Sequence, residues 1–322
     1  MGEITNISQL AKHFSDEAEA WKLVERIRWP ESPICPHCGT IDNAYFLAPK
    51  DGPRKTSTGK ESARRVWKCA ACRKQFSVLV GTIFEDSRIP LSKWLMAIHM
   101  LCAGKNGVAA LELQRTLGVT YKSAWFMAHR IRYAMARPPL VDKLQGIVEA
   151  DETYMGGKAS GKRGRGAANK TLVVLLVERD GEARAQAMRP VTGENVGKVL
   201  REHVDPQTTL FTDSYQIYTK PGAEFAAHET VDHGKGEYSR GIVHTNTAEG
   251  YFSQLKRSID GTHHHVSERH LDRYLAEFDY RYSTRKLRDG ERTEIAIRKT
   301  AGKRLRCEEP ATRETDSATL EE

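Results

Sequence analysis

Asp151 stands in VEADETYMGGK (residues 148–158), a stretch that otherwise reads as a buried strand running into a Gly-Gly turn. A buried carboxylate is costly unless something cationic holds it. A second acid, Asp213, lies near the end of the strand-like segment TTLFTDSYQIY (208–218), and a third, Glu249, in the first turns of the helical segment HTNTAEGYFSQLKRSI (244–259). If the strands bearing Asp151 and Asp213 are neighbours, their carboxylates meet at a few ångströms, which mutual repulsion forbids unless a cation intervenes. Mg2+ prefers carboxylate oxygens and retains waters for a substrate phosphate, and Glu249 from a facing helix would complete a two-metal centre. Lys256 follows Glu249 by almost two helical turns, so both project from one face and could hold a phosphodiester between them. Solvated helix faces also carry Glu and Lys at any spacing, and it is the strand-end placement of the two aspartates that favours a site. Strand alternation puts Glu149 on the face of Asp151 and Glu152 opposite, leaving Glu149 as a further ligand or, more simply, a carboxylate bonded to a nearby base.

A second chemistry is carried by Cys35-Pro-His-Cys38 and Cys69-Ala-Ala-Cys72. Two CxxC knuckles supply four thiolates, a closed tetrahedral zinc set that folds a small module and has no open position for catalysis. The thirty residues between the pairs exceed the usual spacing, and most of the excess is a polar, basic loop. Cys102 reads as a buried core thiol and Cys307 as an unstructured one. The aromatic and basic residues around the knuckles, Trp67, Phe76, Arg64, Arg65, Lys68, Arg73 and Lys74, suit either DNA or a neighbouring domain.

These residues need elements to position them. LSKWLMAIHMLCAG (91–104) is bounded by Pro90 and Gly104 as a helix should be. In 107–135, Ala109, Leu113 and Leu117 share one helical face, Gly118 makes a turn, and Thr120 caps a second helix with Ala124, Met127 and Ile131 inside. This predicts a helix-turn-helix whose second helix presents Tyr121, Lys122, Ser123, His129 and Arg130 to a DNA groove, or an ordinary helical hairpin. Three strands follow (144–156, 169–181 and 183–193), the second uniformly apolar, then a helix at 193–204, the strand at 208–218, and helices at 244–259 and 267–285. That order predicts an α/β fold, a ribonuclease H-like mixed sheet with flanking helices, preceded by a zinc ribbon and a helix-turn-helix. The expected divisions are 1–80 (N-terminal helix and ribbon), 81–140 (helix-turn-helix), 141–290 (catalytic domain) and 291–322 (charged, disordered tail).

Composition narrows the partners. The chain of 322 residues carries a net charge of +8, while its last fifteen residues hold six acids and one Arg, so the body is more positive still. A surplus of that sign suits nucleic acid or simply solubility. The basic glycine-rich run KASGKRGRGAANK (158–170), with Lys162, Arg163 and Arg165, is placed to grip phosphates or to be a solvated loop. The histidines of THHHVSERH (262–270) lack the convergence a metal requires and read as structural or DNA-facing. The longest aliphatic run, LVVLLV (172–177), is far short of a membrane span, and the first thirty residues lack a signal core, so a cytoplasmic, nucleoid-associated protein with no membrane partner is expected.

Together, CPHCG, CAACRKQFSVLVGTIFEDSRIPLSKW, ALELQRTLGVTYKSAWFMAHRIR, EADETYMGGK, FTDSYQIY and the stretch from His244 to Arg285 resemble bacterial insertion-sequence transposases of the DDE type, in the ISXO-like group with an N-terminal zinc ribbon. The resemblance covers most of residues 15–286. It implies Asp151, Asp213 and Glu249 as the acidic triad on Mg2+ (or Mn2+), Lys256 as the associated lysine, and structural Zn2+ on the cysteines. It further implies double-stranded DNA as partner, both terminal inverted repeats and target, and a homodimer or higher assembly on DNA. Two departures are Ser283, where the family pattern has Asn after Arg-Tyr, and the long loop between the cysteine pairs. Other classes remain open: a DNA-binding regulator derived from a transposase, and a metal-dependent nuclease without strand transfer.

Overall fold

The computed structural model describes residues 11, 15–50, 52–138, 142–156 and 170–305. Helix α1 (Glu17–Arg28) leads into a three-stranded antiparallel sheet of β1 (Ala44–Phe46), β2 (Trp67–Cys69) and β3 (Gln75–Phe76). Helices α2 (Leu91–Ala103), α3 (Ala110–Leu117) and α4 (Tyr121–Met135) follow. Pro90 and Gly104 bound α2 as expected, and Gly118 ends α3 in the left-handed region at φ 58°. The Thr120 side chain caps α4 by accepting from the Ser123 amide. Leu113, Leu117, Ala124, Met127 and Ile131 are all buried, because each sits on the apolar stripe of its helix. Ribbon residues Phe76 and Cys69, helices α1–α4 and, from far along the chain, Tyr280, Ala296 and Ile297 form one continuous apolar cluster.

The second layer system is a five-stranded sheet in the order β6-β5-β4-β7-β8, with β4 (Ile147–Met155), β5 (Thr171–Glu178), β6 (Ala183–Met188), β7 (Thr209–Asp213) and β8 (Ala227–Val231). The first three strands form an antiparallel meander, and β7 and β8 run parallel to β4. This is the mixed ribonuclease H-like sheet expected from the element order. Alternation along β5 sends Leu172, Val174 and Leu176 towards α5 (Gly193–His203), and Val173, Leu175 and Val177 towards α6 (Asn246–Ser258) and α7 (Glu268–Ser283). On α6 the buried residues Ala248, Tyr251, Phe252 and Leu255 repeat at helical spacing, which lays the helix on the sheet and leaves Glu249 at its rim.

Three features depart from expectation. The segment at 208–218 does not continue as a strand: Asp213 Oδ1 accepts from the Tyr215 amide at 2.9 Å, and this local turn sends the chain into a helical turn at Gln216–Tyr218. Strand β8 was not anticipated, since AHETV is a half-exposed edge with no apolar run. The tail expected to be disordered from 291 instead begins as α8 (Asp289–Arg298), which buries Thr293, Ala296 and Ile297 against α2, and Gly302 then bonds back to Gly81. Its charge density hid a narrow apolar stripe. Among the described residues, no helix is long and apolar enough to cross a membrane.

Candidate metal centre

The β4–β7 ladder pairs Ala150 with Thr212, so its next step sets Asp151 beside Asp213 on one face. A carboxylate oxygen of Asp151, one of Asp213 and one of Glu152 lie within 4.8 Å of one another. Asp151 Oδ1 also accepts from the Glu152 amide at 2.8 Å. Burial pushes the Asp151 carboxyl up to about 6; the Glu152 amide bond opposes this, while the charges of Asp213 and Glu249 add to it and His233 offsets them. Carboxylates drawn from two strands into mutual repulsion are a donor set that a divalent cation relieves, and hard oxygen ligands fit Mg2+ or Mn2+.

Glu249 is not in this group of oxygens; it stands half exposed, with Oε1 3.7 Å from His233 Nδ1. Lys256 is exposed two turns further along α6, and its ammonium makes no hydrogen bond or ion pair among the described residues. A hollow of about 520 Å³ opens beside Asp213, lined by Ser214, Tyr215, Gln216, Asp232 and His233.

Sequence reasoning missed Glu152. Alternation puts it on the opposite face of β4, yet one of its oxygens lies in the Asp151–Asp213 group, and the buried Tyr218 hydroxyl donates to its Oε2 at 3.1 Å. Tyr218 comes from the helical turn after Asp213, within the segment that the sequence predicts as strand. Glu149 does lie on the Asp151 face and does meet a base: Arg179 Nε donates to its Oε1 at 2.7 Å.

Four cysteine sulfurs form the second donor set. Cys35, Cys38, Cys69 and Cys72 have Sγ atoms within 4.8 Å, with Cys35–Cys72 and Cys38–Cys69 each at 3.7 Å. Sulfurs placed about 2.3 Å from a tetrahedral zinc are separated by about 3.8 Å, so the spacing fits zinc, while a disulfide needs about 2 Å. The aromatic residues near the knuckles dock inward. Trp67 packs edge-on to Trp29 and Phe46, and Glu25 of α1 accepts from both Trp67 Nε1 and Arg65 Nε. Arg64, Arg73 and Lys74 stay exposed.

On α4, Tyr121 and Lys122 are exposed, as a groove-facing helix start requires. Arg130 and His129 are not. Arg130 turns inward and donates to the carbonyls of Ile83 and Glu85 at 2.7 and 3.1 Å, satisfying groups that would otherwise be orphaned, while His129 is buried against Trp125 and His270. The histidines of 262–270 do not converge: His263 packs edge-on to Tyr274, and His264 and His265 are exposed. Lys162, Arg163 and Arg165 lie outside the described residues.

Residues 143–283 match the ISXO2-like transposase domain, and residues 15–75 match the transposase zinc-ribbon domain. A protein described as an uncharacterized protein in transposable element ISH50 of Halobacterium salinarum is 29% identical over 290 residues, covering 84% of this chain and 92% of its own. The Mos1 transposase paired-end complex with left transposon end aligns over 63% of this chain and 77% of its own, at 13% identity and a TM-score of 0.28. Residues 143–283 therefore belong to the ISXO2-like transposase domain family and residues 15–75 to the transposase zinc-ribbon family.

Proposed function

We propose that this chain is an active DDE-type transposase that cuts the ends of an insertion sequence and joins the freed 3′-OH to target DNA. The observation that carries the reading is the meeting of Asp151 and Asp213 across adjacent parallel strands. Asp151, Asp213 and Glu249 are the residues to hold divalent metal, Mg2+ or Mn2+, with Glu152 close enough to join them. Two such ions, when bound, neutralise charge on the attacking and leaving oxygens of an in-line phosphoryl transfer. The chain's own part is to fix the scissile phosphate against the acid cluster. Lys256 takes a phosphate oxygen on the same helix face as Glu249. Helix α4, through Tyr121 and Lys122, and the basic run with Lys162, Arg163 and Arg165 track the flanking duplex. No covalent enzyme intermediate is required, because water and then the 3′-OH serve as nucleophiles. Bringing two ends together calls for a dimer or larger assembly on DNA.

Incubation of the zinc-loaded protein with Mg2+ and DNA carrying its terminal inverted repeats tests this. Joined products are expected. Cut ends alone would make it a nuclease, and binding alone a regulator. Asp213→Asn is expected to abolish joining while leaving DNA binding in place; unchanged joining would refute the assignment.

A further inference from the structure

We propose that Glu149 is a positioning residue, a buried clasp on β4 that holds the first turn of α6 and thereby sets Glu249 against Asp151 and Asp213. This rests on the reading of those three acids as metal ligands. The Glu149 side chain is fully buried, and both of its oxygens are occupied. Oε2 accepts from the backbone amides of Thr247 and Ala248 at 2.8 and 3.1 Å. Oε1 accepts from the Thr247 hydroxyl at 2.8 Å and from Arg179 Nε at 2.7 Å. With both oxygens engaged by these four donors, Glu149 is committed to them and has a task other than ligation.

The first turn of a helix exposes amides with no partner inside the helix, and an anion there is favoured by the helix dipole as well. Usually the residue before the helix caps them. Here Thr245 occupies that position without making a side-chain cap bond, and its hydroxyl is buried with no partner. The capping anion comes instead from a strand nearly a hundred residues earlier. Thr247 and Ala248 immediately precede Glu249, and Glu149 lies two residues before Asp151 on the same strand face. The clasp therefore ties two of the three acids to one rigid strand.

Arg179 makes the arrangement affordable for a buried charge. It lies at the end of β5, stacks its guanidinium 4.9 Å from the Phe211 ring centroid, and donates to the His244 carbonyl at 3.1 Å. His244 Nδ1 in turn lies 2.9 Å from Arg179 Nη2 and 3.3 Å from Glu149 Oε1. The chain leading into α6 is thus pinned at three successive points, His244, Thr247 and Ala248, all through one carboxylate–guanidinium pair.

The test measures Mn2+ binding by titration calorimetry on zinc-loaded, full-length protein, with thermal unfolding and metal-free DNA binding alongside. Glu149→Gln is expected to bind Mn2+ about 10- to 100-fold more weakly, the range for residues that orient metal ligands. Thr247→Val, which removes a single donor and keeps both amides, is expected to lose about threefold. In a double-mutant cycle, Glu149→Gln should add nothing to Glu249→Gln, since it acts through that residue. Metal-free DNA binding should be unchanged in all of them. If Glu149→Gln fails to fold, Thr247→Val carries the comparison. Wild-type Mn2+ affinity in folded Glu149→Gln or in Thr247→Val, or fully additive losses in the cycle, overturns the clasp while the triad stands. Equal Mn2+ binding by the wild type and Glu249→Gln, or none by the wild type, overturns the triad reading and the clasp with it.

Discussion

Glu277→Gln is expected to be among the most destabilising single substitutions outside the acid cluster. Glu277 is 1% exposed, at the joint where α7 meets α4. Arg132 Nε of α4 donates to its Oε2 at 2.6 Å, and Arg281, one turn further along α7, donates to Oε1. The arginine side chains are themselves only 3% and 6% exposed, and Arg132 lies 3.9 Å from the Tyr274 ring centroid. Burial raises the Glu277 carboxyl, but the two guanidinium groups outweigh it and hold the group below the usual carboxylate range. Glutamine keeps the shape and one acceptor, yet leaves two buried guanidinium groups with no counter-charge. Removing one partner of a buried ion pair costs about 3–5 kcal/mol. Domain stabilities are about 5–15 kcal/mol, so the melting temperature should fall by on the order of 10 °C. Calorimetric unfolding of zinc-loaded protein measures it. Glu194→Gln is the control: its pair with Lys198 is 75% and 63% exposed and should be worth less than about 1 kcal/mol. If both variants melt within a degree or so of the wild type, the Arg132–Glu277–Arg281 group contributes no more than a surface pair and the argument from burial is wrong.

Two further outcomes follow from other parts of the molecule. Stripping zinc with a chelator should release one ion per chain and shift tryptophan emission to the red, because Trp67 is two residues from Cys69 and packs on Trp29; emission and melting unchanged after confirmed zinc loss would contradict a structural role for the cysteines. Burial, reinforced by Arg132, His270 and Arg273, lowers His129 to about 3, and its Nε2 has no partner, so the neutral ring is the form that fits. A histidine depressed in the fold lends stability above its unfolded value near 6.5 and loses it as pH falls towards 3. Across that window His129 should contribute a slope of about 1.4 kcal/mol per pH unit. His263, lowered to about 4 by burial, adds its own share above that value. His129→Phe should therefore show a shallower loss between pH 6.5 and 5 in denaturant titrations, and an unchanged slope would exclude His129 as the source.

Much of the molecule was legible from local pattern. The cysteine pairs, the Pro90 and Gly104 boundaries, the Thr120 cap, the stripe of Leu113 and Leu117, and the uniformly apolar β5 all depend on residues a few positions apart, where spacing alone fixes who meets whom. Asp213 and Glu249 could be selected because a carboxylate at the end of an apolar strand or in a first helical turn is conspicuous against its neighbours; Asp151, expected near a strand end, stands instead at the middle of β4, and the β4–β7 ladder is what sets it beside Asp213. What the sequence does not identify is the partner distant in the chain, even where, as for Glu149, it predicts that a partner exists. The donors that occupy Glu149 lie on Arg179 and Thr247, the carbonyls that draw Arg130 inward belong to Ile83 and Glu85, and the surface that turns Asp289–Arg298 into a packed helix is α2. A carboxylate or guanidinium reads the same in a sequence whether it will bind metal, grip phosphate or satisfy a buried amide, because its cost and its role are set by the groups around it once the chain has closed. Residue types and spacing thus determined which acids and thiols could meet, and packing decided which of them were left free to act.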